Sequence, residues 1–259
     1  MPVSHFTIFG ERGSGVSYLQ HLIKTNFDIE LTWDYGFKYF FGFSECRKSE
    51  HVLFLGVVRE PLAWLREFYH NPEFVSEKIK TRWDTFLASE WASSHLGQEV
   101  KTDRHLKQNR RYKNIFELRY TKLKYLINEL PAQVANYKLV KMEDLLRNPR
   151  QMLQSLQNEF HLKQKSDHLI ISGPWVAEDQ MQPIPPPALG FIYKKCNWDI
   201  ERTLGYPLPD DVIILSDPGQ RPKPKSKPKP KPKPKPNAKP RLKKRRARAQ
   251  KKRRRRAIR

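Results

Sequence analysis

GERGSGVS, residues 10–17, stands between an apolar run (Phe6, Ile8, Phe9) and a segment whose apolar residues recur at helical spacing (Leu19, Leu22, Ile23). A strand that runs into a glycine-rich turn and then opens a helix aims several backbone N–H groups at one place, and the positive end of the helix dipole reinforces them. Such a turn suits an anion, above all a phosphate. Gly10, Gly15 and Ser17 take the fixed places of G-x4-G-x-[ST], the P-loop spacing, while Val16 stands where a nucleotide triphosphatase carries lysine. The other reading of the same residues is a plain glycine-rich strand-to-helix turn.

Outward from this turn, HVLFLGVV (residues 51–58) is a continuous apolar run, as expected of a parallel strand buried on both faces. It ends in Arg59, Glu60 and Pro61, and a proline there predicts a helix start. A triphosphatase needs an aspartate at such a strand end to hold magnesium. Arg59 supplies instead either a second anion contact or a surface ion pair with Glu60 or Glu67. The spacing further predicts a strand over 3–9, a helix over 16–26, a second strand over 28–32 and helices over 75–95 and 115–130. A strand over 137–141, a helix over 143–160 broken at Asn148-Pro149 and a short helix over 197–205 complete the body. Residues 103–113 read as a lid or loop, and residues 172–190 carry no assignment. This alternation predicts an α/β fold with a central parallel sheet flanked by helices.

Composition bounds what the chain can be. Lys and Arg number 50 against 27 acidic residues, yet 22 of the 50 fall in residues 221–259, which hold no acidic residue, leaving 28 against 27 in residues 1–220. The body is nearly neutral and the charge belongs to a tail. Cys46 and Cys196 are too few for a disulfide framework, and neither sits in a metal-ligand cluster, so no metal is expected. The first residues lack the pattern of a signal peptide and no run reaches 18 apolar residues, which predicts an intracellular protein, cytoplasmic or nuclear.

Four blocks, in order, resemble the sulfotransferase superfamily. SGVSYL (14–19) is similar to its 5′-phosphosulfate loop, VVREPLAWLREFYH (57–70) to its 3′-phosphate block, YKLVKMEDLLRNP (137–149) to its later Y-x-[VL]-[RK]-Y-E-D-L segment, and WDIERTLGY (198–206) to its usual ending. The resemblance implies a three-layer P-loop-like fold over residues 1–215. It also implies the donor 3′-phosphoadenosine 5′-phosphosulfate (PAPS), and in-line transfer of a sulfuryl group to a hydroxyl or amine. The implied nucleotide contacts are Gly10, Arg12, Gly13, Ser14, Gly15, Val16, Ser17, Arg59 and Glu67. Two of these depart from the family. Gly13 stands at the place of a lysine, with Arg12 beside it as a substitute, and Glu67 at the place of a serine that binds the 3′-phosphate. For the acceptor's base the resemblance implies Asp34, His51 or Glu60, and for a sulfate or acceptor contact Lys38. Tyr193 to Lys195 are a further nucleotide contact or surface residues.

Residues 221–236 alternate proline and lysine nearly perfectly, which favours an extended polyproline II spacer over 216–240, of about 3.1 Å per residue. Residues 241–259 are polybasic, without aromatics for base stacking, and are expected to be disordered. Residues 221–259 suit nucleic acid or another polyanion, gripped through phosphates with steep salt dependence, an anionic membrane, or nuclear import. Pro-Lys spacers with basic ends are similar to those on proteins of large DNA viruses of algae, which implies association with a virion. Three readings follow: a sulfotransferase, a non-catalytic relative that tethers nucleic acid or virion through its tail, and a P-loop kinase or triphosphatase, which Val16 and Arg59 disfavour.

Overall fold

A computed structural model describes residues 2–173 and 181–208. The spacer and polybasic expectations lie outside the described residues. The elements run β1 (His5–Gly10), α1 (Val16–Asn26), β2 (Glu30–Leu31), the hairpin β3 (Gly36–Phe37) and β4 (Phe40–Phe41), β5 (Val52–Val58), α2 (Pro61–His70) and α3 (Trp83–Ala88). There follow the hairpin β6 (Ser94–His95) and β7 (Gln98–Glu99), α4 (Ile115–Lys124) with a π-helical turn (Tyr125–Glu129), β8 (Asn136–Lys141), α5 (Met142–Arg147), α6 (Pro149–Phe160), α7 (Pro186–Lys195) and α8 (Trp198–Thr203).

The central sheet has the order β2-β1-β5-β8 and every pair in it is parallel. In β5 all seven residues are buried, and alternate side chains go to opposite faces. Leu53, Leu55 and Val57 join Leu19, Leu22 and Ile23 of α1 and Leu153 and Leu156 of α6. Val52, Phe54 and Val58 join Phe9, Phe41, Leu123, Leu126 and Leu130 on the other face. Helices therefore flank a sheet buried on both sides, each large side chain so covered adding about 1.5–3 kcal/mol. A third cluster, around Trp64, Phe68, Phe86, Trp91 and Tyr112, lies between α2 and α4. The register puts Gly10 beside Val57 and Val58 beside Lys141, so the glycine turn, Arg59 and the start of α5 emerge at the same carboxyl edge.

Local chemistry accounts for the helix starts. Pro61 opens α2, and the Glu60 carboxylate accepts the Ala63 N–H at 2.7 Å. Asn114 caps α4 by accepting from Phe116 and Glu117 at 3.1 and 3.0 Å. The helix expected over 75–95 reduces to α3, the rest being turns and β6, because its aromatic residues Trp83, Phe86 and Trp91 answer to the third core cluster rather than to one continuous helix face. The helix expected over 115–130 passes into the π-turn, where Leu130 N–H donates to Tyr125 O at 2.9 Å. Residues 172–190, left without assignment, contain the start of α7. Among the described residues no helix is long and apolar enough to cross a membrane.

One pH dependence arises here. Glu117 receives Arg110 Nη1 and Nη2 at 2.8 and 2.7 Å and the Lys113 N–H at 2.6 Å. The Arg110 hydrogen bond leads in drawing its carboxyl from 4.5 down to about 2. A carboxyl held low when folded adds stability above its unfolded value and loses it as pH falls through the folded one. Melting temperature should therefore decline between pH 4.5 and about 2. Glu117→Gln should flatten part of that decline; an unchanged slope would contradict the assignment.

Candidate functional site

β1 ends in a turn that only glycine can make. Gly13 and Gly15 have φ of 79° and 87°, in the left-handed region. A Cβ on Gly15 would stand 2.2 Å from Met142 Sδ, and one on Gly13 would stand 3.0 Å from Phe68 N and Trp64 O. The turn is thus clasped between the start of α5 and the backbone of α2. Gly15 O accepts from Tyr18 and Leu19 at 3.1 and 3.2 Å, while among the described residues the N–H groups of Val16 and Ser17 meet no backbone acceptor. These two donors sit at the positive end of α1, without a side-chain cap.

Behind the turn is a buried charge network. Arg12, 1% exposed, donates to Ser93 Oγ, to Glu11 Oε2 at 3.1 Å and to Asp103 Oδ2 at 3.2 Å, and lies over the Phe68 ring at 4.8 Å. Lys122 Nζ donates to Glu11 Oε1 at 2.5 Å, Tyr39 O at 2.6 Å and Asp103 Oδ1 at 2.7 Å. Burial works against the Arg12 charge, but Glu11 and Asp103 outweigh it and push its pKa up. Burial likewise opposes the Asp103 carboxylate, and Lys122 and Arg12 hold it below its usual range. Two cations and two carboxylates balance, as buried ions must.

In front of the turn the polar groups are more accessible. The β3–β4 hairpin docks on it through Gly10 N–H to Lys38 O at 3.0 Å, and Lys38 Nζ donates to Ser17 Oγ at 2.9 Å. Half-burial lowers the Lys38 pKa, opposed by the exposed carboxylate of Glu73. The neighbouring Tyr39 phenol is pushed up by burial and has Ser17 and Glu73 as polar neighbours. On the other flank, Arg59 Nη1 donates to Gly13 O at 2.9 Å and approaches Glu67 Oε2 at 3.5 Å. Asn71 Nδ2 steadies Glu67 at 2.8 Å, and Arg119 Nη2 holds Arg59 O at 2.9 Å.

Gly10, Gly13, Ser14, Gly15, Val16, Ser17, Lys38, Arg59 and Glu67 therefore gather at one edge of the sheet. Within that group Val16 and Ser14 are 2% exposed, so their side chains turn inward, and any ligand would meet Val16 through its N–H. Arg12 belongs to the turn by backbone only: its guanidinium is spent on Glu11, Asp103 and Ser93, because a buried cation has to be neutralised where it lies. Asp34 is exposed between β2 and β3, its N–H donating to Thr32 Oγ1 at 3.2 Å. His51 precedes β5 and its carbonyl accepts from Ser4 and His5 at 3.0 and 3.2 Å, at the amino edge of the sheet. The length of β5, at about 3.3 Å per residue, separates it from the turn by roughly 20 Å. His51 is thereby removed as a group that could act at the turn. Glu60 caps α2, its N–H donates to Glu143 Oε1 at 2.8 Å, and burial raises its pKa. Lys195 ends α7 over the Phe191 ring at 5.9 Å, and Glu60 lies near enough to Tyr193 to add to the upward shift that burial gives its phenol.

Sequence reasoning missed Glu73, Glu11, Asp103 and Lys122. Lys122 carried a signal, since it stands beside Leu123 and four residues after Leu118, on the face that α4 buries. Among the described residues no group of three or more His, Cys, Asp or Glu could hold a metal ion. Comparison with family models, curated proteins and solved structures finds no match to this chain.

Proposed function

We propose that this chain is a sulfotransferase-like protein with a three-layer P-loop-like fold. It binds a nucleoside 5′-phosphosulfate, PAPS in the family its motifs resemble, and transfers the sulfuryl group to a hydroxyl or amine. The observation that carries the reading is Lys38 Nζ on Ser17 Oγ, 2.9 Å apart, in front of the N–H groups of Val16 and Ser17, which meet no backbone acceptor among the described residues. A cation that the glycine turn lacks at Val16 and Gly13 arrives from the neighbouring hairpin.

In this mechanism the Val16 and Ser17 N–H groups, the Ser17 hydroxyl and Lys38 hold the phosphosulfate and stabilise the charge that builds on the bridging oxygen. The sulfuryl group passes in line: the acceptor oxygen or nitrogen bonds to sulfur as the bond to the phosphate oxygen breaks. The acceptor's proton would leave to Glu73, the exposed carboxylate beside Lys38. No step needs a covalent enzyme intermediate.

Titration of the full chain at about 0.3 M salt, which suppresses binding through the tail, tests the reading with PAPS, adenosine 3′,5′-bisphosphate and AMP. At least one should bind, and Lys38→Ala should weaken it about tenfold or more, the loss of one charged hydrogen bond. Silence of all three at millimolar concentration, or indifference to Lys38→Ala, overturns it. A magnesium-dependent response to ATP alone would favour the triphosphatase reading.

A second reading is favoured by Gly13: the turn has no lysine there and no room for one, which fits a non-catalytic relative whose partner is nucleic acid or a virion component. The 22 basic residues of 221–259 would then carry the function in the cytoplasm, nucleus or virion. Deleting them should abolish retention on DNA, with a steep salt slope in the intact chain; undiminished retention would retire that reading.

A further inference from the structure

Of the cations described around the glycine turn, Arg12 and Lys122 share Glu11 and Asp103, and Arg59 has Glu67. Lys38 has no ion pair among the described residues, Glu73 being a more distant influence on it. The pull of the mouth on an anion therefore comes from the two N–H groups of α1 and from Lys38. That arrangement suits one anionic group. In the nucleotide reading, the block that carries Arg59 is the one that meets a 3′-phosphate, so a second phosphate, one ribose away from the first, would come to a flank where the buried guanidinium of Arg59 is occupied. Arg59 is 4% exposed, and Glu67, 15% exposed and tethered by Asn71, is poorly screened by water.

Resting on the proposed nucleotide reading, we infer that Glu67 is a specificity-determining residue that sets the site against a 3′-phosphate. The preferred donor is then an adenosine 5′-phosphosulfate without one. The carboxylate acts in two ways. It neutralises the arginine that a 3′-phosphate would otherwise use, and it repels that phosphate directly. A ribose with a free 3′-hydroxyl meets neither penalty, and its hydroxyl can donate to the Glu67 carboxylate, a contact that a phosphate oxygen cannot make.

The test measures dissociation constants of AMP and adenosine 3′,5′-bisphosphate, the mono- and bisphosphate probes, for the full chain and for Glu67→Gln and Glu67→Ser at about 0.3 M salt. Whatever the tail contributes is common to all three proteins and cancels from the comparison of ratios. The wild type should hold AMP about tenfold more tightly than the bisphosphate. Both variants should erase or reverse that ratio, mainly by strengthening the bisphosphate. Glu67→Ser introduces a hydroxyl donor and should gain most. Thermal melts within a few degrees of wild type show that the variants fold, and two unlike replacements guard against failure of one.

A wild type that prefers the bisphosphate, or a ratio that neither variant moves, overturns the inference while leaving nucleotide binding intact. Absence of binding by both probes, in wild type and variants alike, overturns the nucleotide reading and this inference with it. The two failures are therefore told apart by whether AMP binds.

Discussion

Asp103→Ala lowers the stability of the folded body by about 3–5 kcal/mol, the usual cost of removing one partner from a buried ion pair. Asp103 is 0% exposed and receives Lys122 at 2.7 Å, Arg12 at 3.2 Å and Ser93. Without it the two cations share only Glu11, and a net positive charge stays in a site closed to water. In a body of this size a melting temperature drop on the order of 10 °C is expected. Asp103→Asn keeps the shape but loses the charge and should cost nearly as much. A loss under about 1 kcal/mol for both variants would mean that water or a rearranged Glu11 compensates, contrary to the geometry. Because the Asp103 carboxyl is held below 3.8, its contribution is complete above that value and disappears only as pH falls through the lower folded value.

Glu201→Ala is the second large effect, also about 3–5 kcal/mol. The Glu201 carboxylate takes Arg119 Nε at 2.6 Å and Nη2 at 2.7 Å, a two-pronged pair between α8 and α4 whose members are 1% and 4% exposed. The same Nη2 holds Arg59 O, and the guanidinium lies 4.5 Å from the centre of the Trp64 ring. Loss of Glu201 thus strands a buried cation and loosens the backbone at Arg59 beside the candidate site. Replacing both partners, Arg119→Met with Glu201→Leu, should recover at least half of the stability, since apolar groups of similar size need no counter-charge. Chemical denaturation of the single and double variants checks this. If the double variant is as unstable as the sum of the singles, the cost lies in packing rather than in the stranded charge.

The elements legible in the sequence were those whose side chains face one kind of environment. β5 reads as a buried strand because all its residues from Val52 to Val58 are apolar, and α2 reads from Pro61 because a proline at the first turn costs no hydrogen bond. The gathering of Ser17, Arg59 and Glu67 follows from strand ends that a parallel sheet aligns. Arg59 was open to two readings, an anion contact or an ion pair, and in this structure it is paired with Glu67.

What escaped the sequence was decided by tertiary pairing of unlike residues far apart in the chain. Asp103 sits in a stretch polar enough to read as loop, and indeed no helix or strand forms there, yet its carboxylate meets cations 91 and 19 residues away. Arg12 looked available because it stands in a glycine turn, but its guanidinium is claimed by Glu11 beside it and, from outside the turn, by Ser93 and Asp103. The aromatic run at 33–43 hid a hairpin, since β3 and β4 have two residues each, too few for alternation to show. His51 was one of three residues that the resemblance implied for the acceptor's base, but it precedes β5, and strand direction puts it at the edge away from the turn.

Gly13 bears on how such a turn could be altered by evolution or by design. With φ at 79° and the backbone of α2 3.0 Å from where a side chain would start, the turn offers no vacancy that a single codon change could fill with lysine. A protein with lysine at this place has to carry α2 further out, and many contacts would have to change together before the gain appeared. The hairpin tip bearing Lys38 has no such obstacle. Adding positive charge to this edge of the sheet has a shorter path through that hairpin than through the turn itself.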